Sequence, residues 1–201
     1  MAYANNIGIV ILAAGSSSRL GEPKQLLDYD DKNLLQHTID TAYYSESETV
    51  IVVLGANANL IENKIDKKEA HIIENKEWKE GMASSVRTGL NELLRISPET
   101  DAVIFMVCDQ PHISGIIIDG LIRIQRNSGK SIVTCDYGEA IGPPALFHRS
   151  LFNELMQLKG DVGARKIIQQ HQDEVAKLLF TEGKIDIDTK EDYDELTRPS
   201  G

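Results

Sequence analysis

Residues 7–24 read Ile7-Gly8-Ile9-Val10-Ile11-Leu12-Ala13-Ala14-Gly15-Ser16-Ser17-Ser18-Arg19-Leu20-Gly21-Glu22-Pro23-Lys24, an apolar run that passes into small and hydroxylated residues and then to two cations. The first half is apolar on both faces, as a central parallel strand must be. The second half suits a loop whose backbone N–H groups surround an anion, since small side chains leave the main chain accessible. Two familiar phosphate loops are excluded by spacing. Gly15 and Gly21 enclose five residues and Glu22 follows, so GxxxxGK[ST] is not met, and GxGxxG is absent. The plain alternative is a Gly/Ser turn with two surface cations. Against it, Arg19 and Lys24 stand directly after the most apolar run of an acidic chain.

Outward from this segment, short β-branched runs alternate with longer amphipathic ones. Strands are expected over Ile7–Ala13, Thr49–Leu54, His71–Glu74, Ala102–Val107, Ser131–Cys135, Ala145–Phe147 and Val175–Phe180. Helices are expected over Asn33–Tyr44, Asn57–Lys67, Ala83–Ile96, Ile116–Gln125, Ser150–Gln157, Gly163–Gln170 and Lys190–Leu196. The alternation predicts an α/β fold, a doubly wound and mostly parallel sheet. From Gly138 onward Gly138, Gly142, Pro143 and Pro144 break the pattern, which predicts an antiparallel addition in the C-terminal part. A single domain over 1–201 is expected, in two parts, 1–136 and 137–201. The tail Arg198-Pro199-Ser200-Gly201 is expected to fray.

Composition narrows the function classes. Of 201 residues, 41% are apolar, and 21 Lys+Arg against 31 Asp+Glu give a net charge of −10. Recurrent apolar runs exclude intrinsic disorder. The longest, Ile7 to Gly15, is far short of the ~20 residues of a membrane span. No Lys or Arg precedes Arg19, so a basic secretory signal is not expected. The acidic balance argues against general nucleic-acid binding. Cys108 and Cys135 lie in apolar runs without CxxC spacing, which fits buried free thiols in a cytoplasmic protein. The five histidines show no zinc pairing.

Ligands of open α/β sheets bind beyond the carboxyl ends of the strands, and chemically capable residues follow those ends here. Gly81-Met82-Ala83-Ser84-Ser85 opens a helix, where free N–H groups and hydroxyls can face a ligand edge, or where serine simply caps. Cys108-Asp109-Gln110-Pro111 follows Val103–Val107, and a carboxylate leaving a buried strand needs a cation. Magnesium suits it, taking one or two carboxylates plus phosphate oxygens. Asp186-Ile187-Asp188-Thr189-Lys190-Glu191-Asp192 offers more carboxylates, although Thr189 and Asp192 also fit a capping box. Gly160-Asp161-Val162-Gly163-Ala164-Arg165 reads as a helix start with Asp161 as N-cap candidate, or as a plain helix junction.

Taken together, these segments resemble the molybdenum cofactor cytidylyltransferase type of the nucleotidyltransferase superfamily, from Ile7 to Tyr193. The pattern LAAGxSxRxGxPK is matched by Leu12, Ala13, Ala14, Gly15, Ser17, Arg19, Gly21, Pro23 and Lys24; GxxSSxxxGL, CDQP, DIDTxED and GDxGAR follow in order. The resemblance implies a Rossmann-like nucleotide-diphospho-sugar transferase fold, with 1–136 as its nucleotide-binding part and 137–201 as its acceptor-side part. It implies that Leu12 to Ser17, with Arg19 and Lys24, wrap the triphosphate, and that Arg19, Lys24 and Asp109 are catalytic. Gly81, Ser84 and Ser85 would read the base. Asp109 would hold Mg²⁺, with Asp188 preferred over Asp186 as second ligand. Gln110, Pro144, Asp161, Gly163 and Arg165 would contact the acceptor. One departure stands out: Pro143 occupies the place where GHPVLF-type segments carry histidine, so any acceptor contact of that imidazole is missing.

The reaction so implied joins CMP from CTP to the phosphate of molybdopterin and releases pyrophosphate, with a molybdenum hydroxylase as a possible receiver of the product. A phosphate monoester is largely a dianion at neutral pH, its second pKa being near ~6, so no general base is required. Two alternatives stay open: another nucleotide such as GTP or another acceptor such as a sugar phosphate, and a carrier that binds the finished cofactor without turnover.

Overall fold

The computed structural model describes residues 4–68 and 70–198; of the tail expected to fray, residues 199–201 lie outside the described residues. In chain order the elements are β1 (Ile7–Ala13), β2 (Asp28–Tyr29), β3 (Lys32–Asn33), α1 (Leu34–Tyr43), β4 (Thr49–Leu54), α2 (Ala58–Glu62), β5 (His71–Glu74) and α3 (Met82–Ile96). There follow β6 (Ala102–Val107), α4 (Gly115–Ser128), β7 (Ile132–Asp136), β8 (Ile141–His148), α5 (Phe152–Met156), α6 (Arg165–Gln170), β9 (Val175–Leu179) and α7 (Lys190–Leu196).

The sheet runs β5-β4-β1-β6-β8-β7-β9, and only β8 is antiparallel to its neighbours. This is the expected mostly parallel sheet with its antiparallel addition. Strand periodicity splits the all-apolar β1 between two cores. Ile7, Ile9 and Ile11 pack with Leu35 and Ile39 of α1 and Ile118 and Leu121 of α4. Val10 packs on the other face with Val86, Leu90 and Leu93 of α3. Cys108 and Cys135 are buried and free, as expected. No helix among the described residues is long and apolar enough to cross a membrane.

Several expected boundaries are corrected. The helix expected over Asn57–Lys67 stops at Glu62, because only Ala58 and Ile61 of α2 are buried and the following polar residues have no core to face. The helix expected over Ser150–Gln157 divides into a 3₁₀ turn, Arg149–Leu151, and α5. That expected from Gly163 begins at Arg165; its N-cap is Ala164 without a side-chain bond, so Asp161 does not cap it. The strand expected at Ala145–Phe147 extends over Ile141–His148. It tolerates Pro143 and Pro144 because both fall where the β7–β8 register shifts, between Thr134↔Ala145 and Cys135↔Gly142, and a bulge asks no ladder hydrogen bond of proline. The β2–β3 hairpin was not anticipated; Asp30 and Asp31 turn it with φ of 45° and 62°.

Helix α3 can lie close to β1 and β4 only because residue 89 is glycine. A Cβ there would sit 2.3 Å from Val10 Cγ1 and 2.9 Å from Val53 Cγ2. Gly89→Ala should therefore overpack the core by about 1–3 kcal/mol and lower Tm by several degrees. In a double-mutant cycle followed by thermal unfolding, Val10→Ala combined with Gly89→Ala should cost less than the two single changes summed; strictly additive costs would refute the contact.

Candidate functional site

β1 delivers the chain to the loop at Ala14. Behind the loop the buried Gln25 amide donates to the carbonyls of Ala13 (2.8 Å) and Gly15 (3.1 Å). Ser17 takes a left-handed φ of 53°. Its carbonyl accepts from Leu20 N (3.0 Å) and Gly21 N (3.3 Å), and its hydroxyl accepts from Lys24 N (3.0 Å). The loop is thus held from within by its own acceptors. Among the described residues, no backbone N–H from Gly15 to Arg19 has a protein acceptor. A run of free N–H groups is what a polyanion needs.

Lys24 follows on a short 3₁₀ turn, and its ammonium lies between two segments distant in the chain: Nζ is 2.6 Å from Asp109 Oδ2, 2.8 Å from Asp188 Oδ1 and 3.3 Å from the Ile187 carbonyl. Arg19 Nη2 is 2.7 Å from Asp188 Oδ2. Asp109 is here because β6 ends at Val107. Asp188 is here because Ile187 donates its N–H to the Asp109 carbonyl (2.9 Å) and is fully buried with Leu27 and Leu34. The capping box expected as an alternative at Thr189 is present too, with Asp192 receiving both the Thr189 N–H (2.7 Å) and hydroxyl (2.8 Å). Capping and the ion pairs coexist, because Asp192 serves the helix while Asp188 faces Lys24.

Charge follows this geometry. Burial alone would lower the Lys24 pKa, but the Asp109 charge and the bonds to Asp109 and Asp188 outweigh it and raise the value. The Lys24 hydrogen bond holds the Asp188 carboxyl below its ordinary range. Asp186 moves the other way, raised by burial and then by the neighbouring Asp109 and Asp188 charges. Among the described residues no three His, Cys, Asp or Glu side chains are grouped as a metal cage.

Ser84 and Ser85 do not point outward. Both are buried, and each accepts from Asn75 Nδ2, at 2.8 and 3.0 Å; the Ser84 hydroxyl faces the Gly81 carbonyl at 2.8 Å. Asn75, which sequence reasoning missed, is the buried hub of this turn. It also accepts the Glu77 N–H at 2.9 Å. Its signal was its position, immediately after β5, as Asp109 stands just beyond β6.

Beside the carboxylates opens a cavity of about 490 Å³, walled chiefly by apolar residues including Leu12, Phe105, Ile141, Phe147 and Ile168, with Asp109, Asp186, Lys184 and Arg165 among its few charged groups. Of the residues expected at the acceptor, Gln110, Gly163 and Arg165 line it. Pro144 is buried and it is Pro143 that forms wall; Asp161 is exposed and outside the cavity. Tyr137, unforeseen from sequence, orders this side: its hydroxyl donates to the Pro143 carbonyl and accepts from Gln110 Nε2 (2.8 Å), which also donates to Gly183 O (2.6 Å).

Known proteins resemble this chain over most of its length. The model of the MobA-like NTP transferase domain matches residues 9–175. The purine catabolism protein PucB of Bacillus subtilis (strain 168) is 28% identical over 201 residues, covering 94% of this chain and 95% of that protein. Nicotine blue oxidoreductase of Paenarthrobacter nicotinovorans is 29% identical over 168 residues, 80% of each. Rv0371c from Mycobacterium tuberculosis H37Rv superposes with a TM-score of 0.81 at 31% identity, covering 96% of this chain and 98% of that one. Its complex with manganese gives a TM-score of 0.79 at 28% identity over the same shares. With the family model matched over most of its length, the chain is an enzyme of nucleotidyl transfer and belongs to the MobA-like NTP transferase family.

Proposed function

We propose that this enzyme transfers CMP from CTP to the terminal phosphate of molybdopterin and releases pyrophosphate. The observation behind this reading is one continuous surface: free N–H groups from Gly15 to Arg19, the Lys24 and Arg19 cations, the Asp109–Asp188 pair, and an apolar cavity beside them. The triphosphate lies along the loop. The base lies toward Leu12, Ala13, Ala14 and Gly81, with Ser84 and Ser85 shaping that turn through Asn75. The acceptor enters the cavity. Its walls favour a flat heterocycle over a sugar, whose hydroxyls would meet too few polar partners there.

In the reaction an oxygen of the acceptor phosphate forms the new bond to the α-phosphorus as the bond to the β-phosphate oxygen breaks. The nucleophile is already an anion, so the enzyme's task is to bring two polyanions together and stabilise the leaving pyrophosphate. Lys24 and Arg19 are the groups for this. Both now neutralise carboxylates, and an arriving triphosphate competes for them. A divalent cation would fit the same place: Asp109 and Asp188, whose oxygens both face Lys24 Nζ, would hold it, since a hard cation of this kind needs only one or two carboxylates beside substrate phosphates. When bound there it neutralises phosphate oxygens as a Lewis acid. The manganese complex of Rv0371c supports a divalent metal in this family.

Pyrophosphate release measured with each of the four nucleoside triphosphates, with and without molybdopterin, should be strongest with CTP plus molybdopterin. Binding without release under every condition would instead identify a carrier. Lys24→Ala and Asp109→Ala should each slow release by about 10²–10³-fold with far-UV circular dichroism unchanged; near wild-type rates would remove both residues from the mechanism.

Lys24 is also the internal counter-ion of the proposed metal ligands. Lys24→Met should bind Mn²⁺ in the absence of nucleotide at least about ten-fold more tightly than wild type, as read by electron paramagnetic resonance. Unchanged or weaker binding would show that Asp109 and Asp188 are not the metal's ligands.

A further inference from the structure

An ion pair at the opening of α3 that none of the roles above uses reaches the loop before α6 through two hydrogen bonds to its backbone. Arg87, on the second turn of α3, grips Glu80 with both ends of its guanidinium: Nη1 is 3.0 Å from Glu80 Oε1 and Nη2 is 2.6 Å from Oε2. The same Nη1 donates to the Leu158 carbonyl at 2.5 Å. Glu80 Oε1 accepts the Gly160 N–H at 3.2 Å, and the Gly160 carbonyl accepts the Ala83 N–H at 3.1 Å. The Arg87 hydrogen bond, then the Gly160 N–H, hold the Glu80 carboxyl below its ordinary pKa, so the pair is fully charged at neutral pH.

Backbone packing ties the same two segments. Gly81 has φ 115°, and a Cβ there would lie 2.7 Å from Asp161 Cα and 2.8 Å from Gly160 C. Only glycine permits both that conformation and that approach. One turn therefore touches the base side through Gly81 and the acceptor side through residues 160–165, of which Gly163 and Arg165 line the cavity.

We propose that Glu80 and Arg87 are positioning residues that couple the two substrate sides, holding the Leu158–Arg165 loop against the opening of α3 so that occupancy of the nucleotide side fixes the acceptor side. A bidentate Arg–carboxylate pair suits this task because its fork fixes direction as well as distance. This rests on the assignment of nucleotide and acceptor sides made above, but not on the identity of either substrate.

The test is hydrogen–deuterium exchange by mass spectrometry on wild type, Arg87→Met, Arg87→Lys and Glu80→Gln, with and without the nucleoside triphosphate that calorimetry shows to bind most tightly. Choosing the nucleotide by calorimetry separates an error in the cytidine assignment from an error in the coupling. In wild type, nucleotide should slow exchange in residues 158–165. In Arg87→Met that loop should exchange about ten-fold faster without ligand, the effect of losing a charge-assisted hydrogen bond, and nucleotide should no longer slow it. Nucleotide affinity itself should change by less than about three-fold. Arg87→Lys, which keeps charge but not the fork, should fall between, and Glu80→Gln gives the same readout if Arg87→Met does not fold. Equal nucleotide protection of the loop in wild type and variants, or no protection in wild type, would overturn the proposal.

Discussion

A single ammonium group ties together three distant segments of this chain. Lys24 Nζ stands between carboxylates from the end of β6 and from the segment before α7, and near the Ile187 carbonyl as well. Two carboxylates brought this close in a partly buried site repel each other strongly unless a cation lies between them. Asp186, which has no such bond to Lys24, has its pKa raised by burial first and then by the Asp109 and Asp188 charges. The same C-terminal segment is also held by apolar packing, with Ile187 buried against Leu27 and Leu34.

The remainder of the architecture sets distances for this centre. β1 and β6 are adjacent and parallel, with Leu12 paired to Val107, so the loop after one and the aspartate after the other emerge side by side. α3 presses against the opposite face through Gly89 and presents its first turn toward the same end of the sheet. β8, reversed between β6 and β7, brings Pro143 to a wall that a purely parallel sheet would not supply, and the turn that leads into it from β7 adds Tyr137. Each arrangement follows from strand direction, and the side chains then finish the work.

Much of this was legible in the sequence because the signals were local. An apolar run flanked by small residues gave β1 and its loop, and an aspartate just past a buried strand marked Asp109. What escaped reading was long-range or paired. Asn75 looks like an ordinary polar residue until its amide is seen to hold two buried hydroxyls. Ser84 and Ser85 looked free for a ligand because nothing in their spacing reveals an inward partner. Pro143 and Pro144 concealed a strand, since proline argues against one unless a register shift accommodates it. Asp161 resembled a helix cap, yet the helix starts later and the residue is exposed.

Consider finally the order in which the ribosome makes these parts. Lys24 and Asp109 are synthesised with the central strands, whereas Ile187 and Asp188 emerge after β9, an edge strand and the last of the sheet to be made. A nascent chain with its sheet complete still lacks half of the carboxylate pair and the bond from Ile187 to Asp109. The contacts that join Lys24 and Asp109 to Asp188 are thus among the last that the growing chain can make.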